Sequence, residues 1–349
     1  MNLSTVSLVP GRVVIDVQGT TLTPDDVARL RHPATGGVIL FARNFESRAQ
    51  LSGLVAAIHA LRSEPLLVAV DHEGGRVQRF RADGFTPLPP MHALGQLWDR
   101  DPQEALRSAV EVGYVLAAEL RSCGVDLSFT PVLDLDYGRS QVIGSRAFHR
   151  HPAAVADLAR ALVHGLHLGG MAACGKHFPG HGYVEADSHH AVPVDERPLD
   201  AILAEDAAPY HWLGDLTLPS VMPAHVIYPL ADARPAGFSP FWITTILRER
   251  LRYDGLVFSD DLTMEGAAVA GDIVARAHAA LDAGCDMVLV CNRPDLADQV
   301  LQALEGGMPT ASLARWRRLR PCGPVPAWHE LQASEAYRRA RATALRLNA

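Results

Sequence analysis

Residues 170–182 read Gly170-Met-Ala-Ala-Cys-Gly-Lys-His-Phe-Pro-Gly-His-Gly182, an apolar run that ends abruptly in Lys176 and His177. A parallel strand that is covered on both faces is almost continuously hydrophobic, and this run is typical of one. Titratable residues at the carboxyl end of such a strand stand where α/β proteins build their active sites. The stretch therefore predicts a fold class and the end of the fold at which a site lies.

Seven more runs of the same kind occur along the chain, with helical patterns between them. Apolar residues at three- and four-residue spacing predict helices over residues 102–123 and 152–168. Eight strands that alternate with helices predict an α/β protein, a single (β/α)8 barrel of the TIM type. The eight runs are Val13–Val17, Gly37–Phe41, Leu66–Val70, Val125–Thr130, Met171–Cys174, Ser220–Pro223, Gly255–Phe258 and Met287–Val290.

Composition limits the organisation and the partners of the chain. No linker rich in Pro, Ser or Gly divides it, so we expect residues 1–349 to form one catalytic domain. Residues 294–349 would complete the last helix and add a C-terminal helical extension. A net charge of −7 gives no electrostatic footprint for nucleic acid. Without a secretory signal or a membrane-length apolar run, we expect a cytoplasmic protein that does not bind membranes, whose cysteines are free thiols.

A second apolar run ends in carboxylates, in Phe258-Ser259-Asp260-Asp261-Leu262. Adjacent residues of a strand point to opposite faces, so only one of the two aspartates can face the barrel mouth. We favour Asp260, because the strand delivers it first. A carboxylate there could attack an anomeric carbon or stabilise positive charge on a sugar ring. We expect Asp261 to cap a helix that begins near Leu262.

Asp187 and His189 are candidates for acid/base chemistry. In an extended segment they point the same way, and a neighbouring carboxylate raises the pKa of an imidazole and orients it. His189 would then be partly protonated near neutrality, as a general acid must be. Gly180 and Gly182 would act as a hinge that moves this loop over a ligand.

Other polar strand ends are predicted to bind a sugar. Lys176 and His177 would donate to its hydroxyl groups, Arg79 and Arg146 would add charged donors, and a hydroxyl pair would donate to Asp71. A metal site is the alternative, but its candidate histidines show neither the H-x-H nor the H-E-x-x-H spacing of zinc hydrolases. We therefore expect no metal and no cofactor. The candidate histidines are His177, His181, His189, His190 and His225.

Five motifs resemble family 3 glycoside hydrolases and, more narrowly, the β-N-acetylhexosaminidases of bacterial peptidoglycan recycling, the NagZ group. The resemblance covers about residues 11–295. One departure is His72, which replaces the glutamine usual after the aspartate. The motifs are Asp71-His-Glu-Gly-Gly-Arg-Val-Gln-Arg-Phe80, Lys176-His-Phe-Pro-Gly-His-Gly182, Asp187-Ser-His189, Met222-Pro-Ala-His225 and Phe258-Ser-Asp-Asp-Leu262.

The resemblance implies a retaining exo-β-N-acetylglucosaminidase that acts on muropeptides of the GlcNAc-1,6-anhydroMurNAc type. We expect the protein to be a monomer. Asp260 matches the nucleophile that forms a glycosyl-aspartate, His189 the acid/base and Asp187 its partner. The positions that match the family's N-acetylglucosamine-binding residues are Asp71, Arg79, Arg146, Lys176 and His177. Three alternatives stay open: substrate-assisted hydrolysis in which the Asp260-Asp261 pair orients the acetamido group, phosphorolysis, and a sugar-binding barrel without activity.

Overall fold

The computed structural model describes residues 8–185, 192–304, 306–325 and 327–348. All eight predicted strands are present in one parallel sheet, and each overlaps one of the apolar runs. They are β1 (Val13–Asp16), β2 (Thr35–Leu40), β3 (Leu67–Val70), β4 (Leu127–Ser128), β5 (Cys174–Phe178), β6 (Ser220–Pro223), β7 (Leu256–Asp261) and β8 (Met287–Val290).

The sheet closes into a barrel. Its hydrogen-bonded order is β4-β3-β2-β1-β8-β7-β6-β5. The two end strands then meet through backbone bonds: the Cys174 amide donates to the Thr130 carbonyl at 2.8 Å, and the Leu133 amide donates to the Lys176 carbonyl at 2.6 Å. The predicted TIM-type barrel is confirmed.

Alternation along the strands sorts the apolar side chains between two cores. In β1, Val14 belongs to the cluster inside the barrel, whereas Val13 and Ile15 belong to the cluster between the sheet and the helices. In β3, Leu67 and Ala69 lie inside in the same way. Both faces of each strand are buried, which is why the runs are nearly continuous in hydrophobicity rather than alternating.

Twelve α-helices lie in the described part of the chain. The two predicted from spacing are the long helices α4 (Pro102–Ser122) and α5 (Pro152–Leu168). The Asp101 carboxylate caps α4 by accepting from the Glu104 amide at 3.0 Å. Phe241–Arg250 is π-helical. The α-helices are α1 (Pro24–Arg31), α2 (Arg48–His59), α3 (Met91–Trp98), α4 (Pro102–Ser122), α5 (Pro152–Leu168), α6 (Leu199–Ala204), α7 (Ala208–Thr217), α8 (Ile273–Ala283), α9 (Pro294–Ala303), α10 (Thr310–Arg317), α11 (Trp328–Ala333) and α12 (Glu335–Leu347).

Helix α10 and the residues around it cover the amino end of the barrel. The Met308 amide donates to the carbonyl of Pro10, just before β1, and Arg320 donates to the carbonyl of Pro65, just before β3. The buried indole of Trp316 belongs to the cluster inside the barrel. This end is therefore filled by the chain itself, and open space remains at the carboxyl end. No helix among the described residues is both long and apolar enough to cross a membrane.

Strand β5 begins three residues later than predicted, and it ends four residues later. Pairing sets this register, because Lys176 is the partner of Met222 in β6 and Phe178 that of Pro223. Lys176 and His177 therefore lie within the strand, where two neighbouring strands fix their backbone.

Candidate active site

A cavity of about 680 Å³ opens at the carboxyl ends of the barrel strands. Apolar side chains such as Phe129, Met222 and Leu289 form part of its wall. Six of the eight residues predicted for the site line this one cavity. They are Asp71, Arg79, Arg146, Lys176, His177 and Asp260. The other two, Asp187 and His189, lie outside the described residues.

Glu73 is the centre of an ionic network in the cavity wall. Its carboxylate lies 2.7 Å from Lys176 Nζ and accepts two hydrogen bonds from Arg146, each of 2.8 Å. Glu73 and Lys176 are both 2% exposed. Burial by itself would raise the pKa of Glu73, but Arg146 and Lys176 hold it well below its usual range. Glu73 is therefore ionised and has the two cations of the network for partners.

Lys176 also contacts Asp71, with Nζ 2.8 Å from Oδ1. Burial would lower the pKa of Lys176, yet the carboxylates of Asp71 and Glu73 raise it. Two of the three ammonium hydrogens are thus engaged within the protein. One ammonium hydrogen therefore remains for a ligand.

Asp71 is the exposed end of this network. Its side chain is 23% exposed and has Arg79 Nη2 at 3.5 Å from its second oxygen. The Arg79 guanidinium lies 5.8 Å from the centre of the Phe41 ring, which lines the same cavity. Asp71 retains lone pairs that can accept from a ligand hydroxyl group.

His177 is oriented by a buried carboxylate that is not part of the cavity wall. Its Nδ1 lies 2.7 Å from Asp134 Oδ2, and its amide donates to Asp134 Oδ1 at 3.2 Å. Asp134 Oδ1 also accepts from the amide of His181 at 2.7 Å. When Nδ1 donates to Asp134, a neutral His177 presents Nε2 as an acceptor, and it donates there only when protonated.

Asp260 and Asp261 end strand β7 and both line the cavity. The prediction that only one of them can face the barrel mouth is wrong, because the pairing of β7 with β8 shifts register between Phe258 and Asp261. Asp260 Oδ1 accepts from the Asp261 amide at 2.8 Å. Asp261 accepts from the amide and the hydroxyl group of Thr263, at 3.0 and 2.7 Å, and from the amide of Cys291 at 3.1 Å. Burial and the charge of Asp260 raise the pKa of Asp261 to about 6. Asp261 therefore links the end of β7 to Cys291, the residue that follows β8.

The predicted helix cap at Asp261 is wrong. The chain makes a turn after β7, and the next helical segment is a 3-10 helix over Glu265–Ala270 whose N-cap, Met264, has no side-chain capping bond. Asp261 bonds instead to the residue two positions on, as aspartates in tight turns do.

Comparison with known proteins identifies the family of this chain. Residues 13–317 match the family described as "Glycosyl hydrolase family 3 N terminal domain". The chain belongs to glycoside hydrolase family 3. A β-hexosaminidase of Bordetella parapertussis is 69% identical over 334 residues, which are 96% of this chain and 95% of that protein. A β-hexosaminidase of Methylobacillus flagellatus is 59% identical over 309 residues, 88% of each chain.

Solved structures agree with these relatives. NagZ of Neisseria gonorrhoeae in complex with N-trifluoroacetyl-D-glucosamine has a TM-score of 0.93 at 48% identity, over 98% of this chain and 99% of that one. A family 3 β-N-acetylglucosaminidase of Paenibacillus has a TM-score of 0.80 at 31% identity, over 95% of this chain and 61% of that one. The resemblance found in the motifs is confirmed, and the chain is a glycoside hydrolase of the β-hexosaminidase type.

In this hydrolase His72, the residue that departs from the family's motif, points away from the cavity. In an extended segment Asp71 and Glu73 share one face and His72 takes the other. Its ring packs 5.7 Å from that of Phe80 and 5.9 Å from that of Phe85, and burial, with Arg81 and Arg79 nearby, lowers its pKa to about 3. The histidine is therefore a neutral member of an aromatic cluster.

Gly180 and Gly182, predicted to be a hinge, have a packing role in the structure. Both residues are buried. A Cβ at Gly182 would lie 1.9 Å from the carbonyl oxygen of Leu135, and one at Gly180 would lie 2.7 Å from Asp206. Close packing of the backbone therefore explains both glycines without a hinge.

Two residues of the site were not assigned a role from the sequence. Glu73 lies inside a quoted motif, and its position two residues after Asp71 was the signal that both share a face. Asp134 follows strand β4, and no sequence pattern connects it to His177.

Of the histidines named for the metal alternative, His177 and His181 lie together in the cavity wall, with ring centres 6.0 Å apart. In the described part of the chain, however, no group of three or more His, Cys, Asp or Glu side chains has the arrangement of a metal site. An H-x-H spacing does occur at His149-Arg150-His151, but His149 pairs with Asp99 at 3.0 Å, and neither histidine lines the cavity.

Proposed function

We propose that this hydrolase removes terminal N-acetylglucosamine from peptidoglycan fragments of the GlcNAc-1,6-anhydroMurNAc type, with retention of configuration. Asp260 attacks the anomeric carbon while protonated His189, paired with Asp187, gives its proton to the departing glycosidic oxygen. Water then attacks the glycosyl-aspartate, neutral His189 takes the water's proton, and the Asp260 carboxylate is released. Two displacements at one carbon restore its configuration.

The observation that carries the proposal is the placement of Asp260. Its side chain stands at the end of β7 and lines the cavity that also holds Lys176 and Asp71. A sugar ring bound by the latter pair would present its anomeric carbon to a carboxylate on another strand end. Catalytic residues of TIM barrels come from the ends of several strands in this way.

The contacts of Asp261 favour Asp260 as the nucleophile. Asp261 accepts three hydrogen bonds from Thr263 and Cys291, which occupy both of its carboxylate oxygens. Attack on the sugar by Asp261, or its use to orient an acetamido group, would have to compete with these three bonds. Both roles are therefore disfavoured for Asp261.

The wall of the cavity supports binding of a small polar ring. We propose that Asp71, the remaining ammonium hydrogen of Lys176 and Nε2 of His177 contact its hydroxyl groups, with Arg79 and Arg146 as further donors. An N-acetylglucosamine analogue bound to the gonococcal NagZ fits this choice of sugar. A muropeptide leaving group is inferred from the family resemblance.

The acid role of His189 has a direct test. His189→Ala should lower kcat/KM on a GlcNAc-containing disaccharide by about 10²–10⁴-fold, because the leaving oxygen then departs without a proton. The loss should be much smaller on an aryl glycoside whose leaving group needs no proton. Equal losses on both substrates would remove His189 from this role.

The covalent step is tested by trapping. A 2-fluoro sugar with a good leaving group should label one peptide of the wild-type protein, at Asp260, and label no peptide of Asp260→Asn. A label at another carboxylate, or turnover of the probe without a label, would contradict the proposed nucleophile.

The substrate is tested with a panel of aryl N-acetylglucosaminide, aryl glucoside and muropeptide disaccharide, with and without phosphate. We expect turnover of the first and third, and free N-acetylglucosamine as the product. A sugar 1-phosphate would identify a phosphorylase, and binding without turnover would identify an inactive sugar-binding barrel.

We further propose that the whole chain acts as one catalytic domain, as a monomer in the cytoplasm. Tyr337 in α12 donates to the buried Glu119 in α4 at 2.6 Å, which supports a C-terminal extension that is integral to the barrel. Sedimentation equilibrium would test the monomer, and fractionation of cells that express the protein would test its location.

A further inference from the structure

One half-buried cluster of charged and aromatic side chains, with two fully buried aspartates, flanks the segment that carries the proposed acid/base. We call it the stem cluster; its members are Tyr137, Tyr183, Asp195, Arg197 and Asp206. Tyr183 lies three positions before residues 186–191, and Asp195 lies four positions after them. None of these five described residues lines the cavity. The proposed reaction therefore leaves the stem cluster without a role.

Arg197 is the centre of the stem cluster. Its Nε and Nη2 donate to Asp195 at 2.6–3.1 Å, and its Nη1 lies 2.9 Å from Asp206 Oδ2. Nη1 also donates to the hydroxyl group of Tyr137 at 2.6 Å. Asp195 and Asp206 are each 1% exposed. Because the guanidinium fork has a fixed geometry, these bonds hold Arg197 in one orientation.

Arg197 in turn holds Tyr183. The guanidinium carbon lies 4.0 Å from the centre of the Tyr183 ring, which is a cation–π contact. The ring of Tyr137 packs edge-on against that of Tyr183, with 5.2 Å between the ring centres and 90° between the ring planes. Since Tyr183 and Arg197 stand on opposite sides of residues 186–191 in the sequence, their contact joins the two ends of that segment.

The backbone on both sides of the segment is fixed to the same place. The Tyr228 hydroxyl group donates to the carbonyl of Gly180 at 2.6 Å. On the other side, the Asp195 amide donates to the carbonyl of Ile227 at 2.8 Å, and the Ile227 amide donates to the carbonyl of Pro193 at 3.0 Å. The described backbone before and after residues 186–191 is thus bonded to one short strand, Ile227–Tyr228.

We infer that Tyr183 and Arg197 are positioning residues for the acid/base, through their hold on both ends of the segment that contains it. The inference rests on the role proposed above for His189. A general acid must stand within hydrogen-bond reach of the leaving oxygen, and a displacement of about 1 Å costs about 10²-fold in rate. The stem cluster would supply this precision from outside the cavity.

The primary test compares Tyr183→Leu, which removes the ring face, with Tyr183→Phe, which keeps it. For Tyr183→Leu we expect kcat/KM to fall by about 10–10²-fold on a GlcNAc-containing disaccharide. On an aryl glycoside whose leaving group needs no proton we expect a change below about 3-fold. Tyr183→Phe should keep both values within about 2-fold of wild type, because the cation–π face remains.

A matched control separates positioning from general loss of structure. Arg248→Met breaks another Arg–Asp pair, with Asp286 at 2.7 Å near the amino end of the barrel. It should lower Tm and affect the two substrates equally. Arg197→Met leaves two buried carboxylates without their cation and threatens folding, which is why the Tyr183 variants decide the matter.

His189→Ala distinguishes the two ways in which the inference can fail. If His189→Ala itself loses equal activity on both substrates, the proposed acid is wrong. If His189→Ala shows the expected difference between substrates and Tyr183→Leu shows none, the acid stands and the stem cluster has only a structural role.

Discussion

Glu73 and Asp286 are two buried carboxylates at opposite ends of one barrel, and each is held by two cations. Glu73 has its cations at 2.7 and 2.8 Å. Asp286 has Arg248 at 2.7 Å and Arg315 at 3.1 Å. The relative exposures are 2% and 3%. Local electrostatics alone would not tell the two clusters apart.

They differ in what surrounds them. Asp286 also accepts from the Ser312 hydroxyl group at 2.6 Å and from the Val257 amide at 2.9 Å, beneath helix α10. The cluster around Glu73 borders an open cavity. Its Lys176 also contacts Asp71, which is partly exposed, and so helps to fix the position of that carboxylate. A buried ion cluster thus indicates a site only where it supports groups that a ligand can reach. In TIM barrels that is the carboxyl end, while the amino end serves stability.

The largest effect should come from breaking each cluster. Glu73→Gln and Asp286→Asn should each lower the free energy of unfolding by about 3–5 kcal/mol, since each leaves cations buried without their partner. Glu73→Gln should also lower kcat/KM on an aryl N-acetylglucosaminide by at least about 10²-fold, because Lys176 and Arg146 lose their position. Urea unfolding and steady-state kinetics measure the two effects.

Asp286→Asn is the control for that activity loss. Once kcat/KM is expressed per folded molecule, it should stay within about 2-fold of wild type, as expected for the end of a TIM barrel that serves stability. Similar activity losses in both variants would mean that the two ends are not functionally distinct.

An intermediate effect concerns the paired carboxylates at the cavity end. Asp261 has a folded-state pKa of about 6, raised from 3.8 by burial and by Asp260. The folded state thus holds this proton more tightly, so the stabilisation is complete below pH 3.8 and is lost as pH rises through about 6. Asp261→Asn cannot ionise, and its stability relative to wild type should rise by about 1–3 kcal/mol between pH 4 and pH 7.5. If the pKa of Asp261 were not raised, urea unfolding would give the same stability difference between Asp261→Asn and wild type at both pH values.

The smallest effect should come from a third buried carboxylate, Glu119, which bonds to hydroxyl groups. It accepts from Thr86 at 2.5 Å and from Tyr337 at 2.6 Å. Tyr337→Phe removes one neutral donor, so it should lower the free energy of unfolding by about 1 kcal/mol and leave activity unchanged. Loss of activity would show that the C-terminal extension influences the cavity.

The strands could be predicted from sequence because barrel strands are buried on both faces, and this produces uninterrupted apolar runs. The residues at the carboxyl ends could also be predicted to lie together, since parallel strands bring their ends to one side of the sheet. The contacts between these residues could not be predicted in the same way. Lys176 meets Glu73 only because β5 closes against β4, and that closure depends on register, which apolar runs do not specify.

Local misreadings have local causes. Asp261 was expected to cap a helix, but the Asp-x-Thr sequence up to Thr263 also fits a tight turn, and pairing with β8 made the turn the better solution. The sequence predicts motion at Gly182 because glycine permits it. Only the packed structure shows that the missing side chain makes room for Leu135.

The buried ammonium group of Lys176 has a consequence for the thermodynamics of ligand binding. A free lysine side chain has about 2 kcal/mol of rotamer entropy to lose when a ligand immobilises it. Here Asp71 and Glu73 have already removed that freedom during folding. A sugar that meets Lys176 does not have to order it, so more of the interaction energy is available for affinity. Inhibitors that reach this ammonium group should gain from a preformed contact.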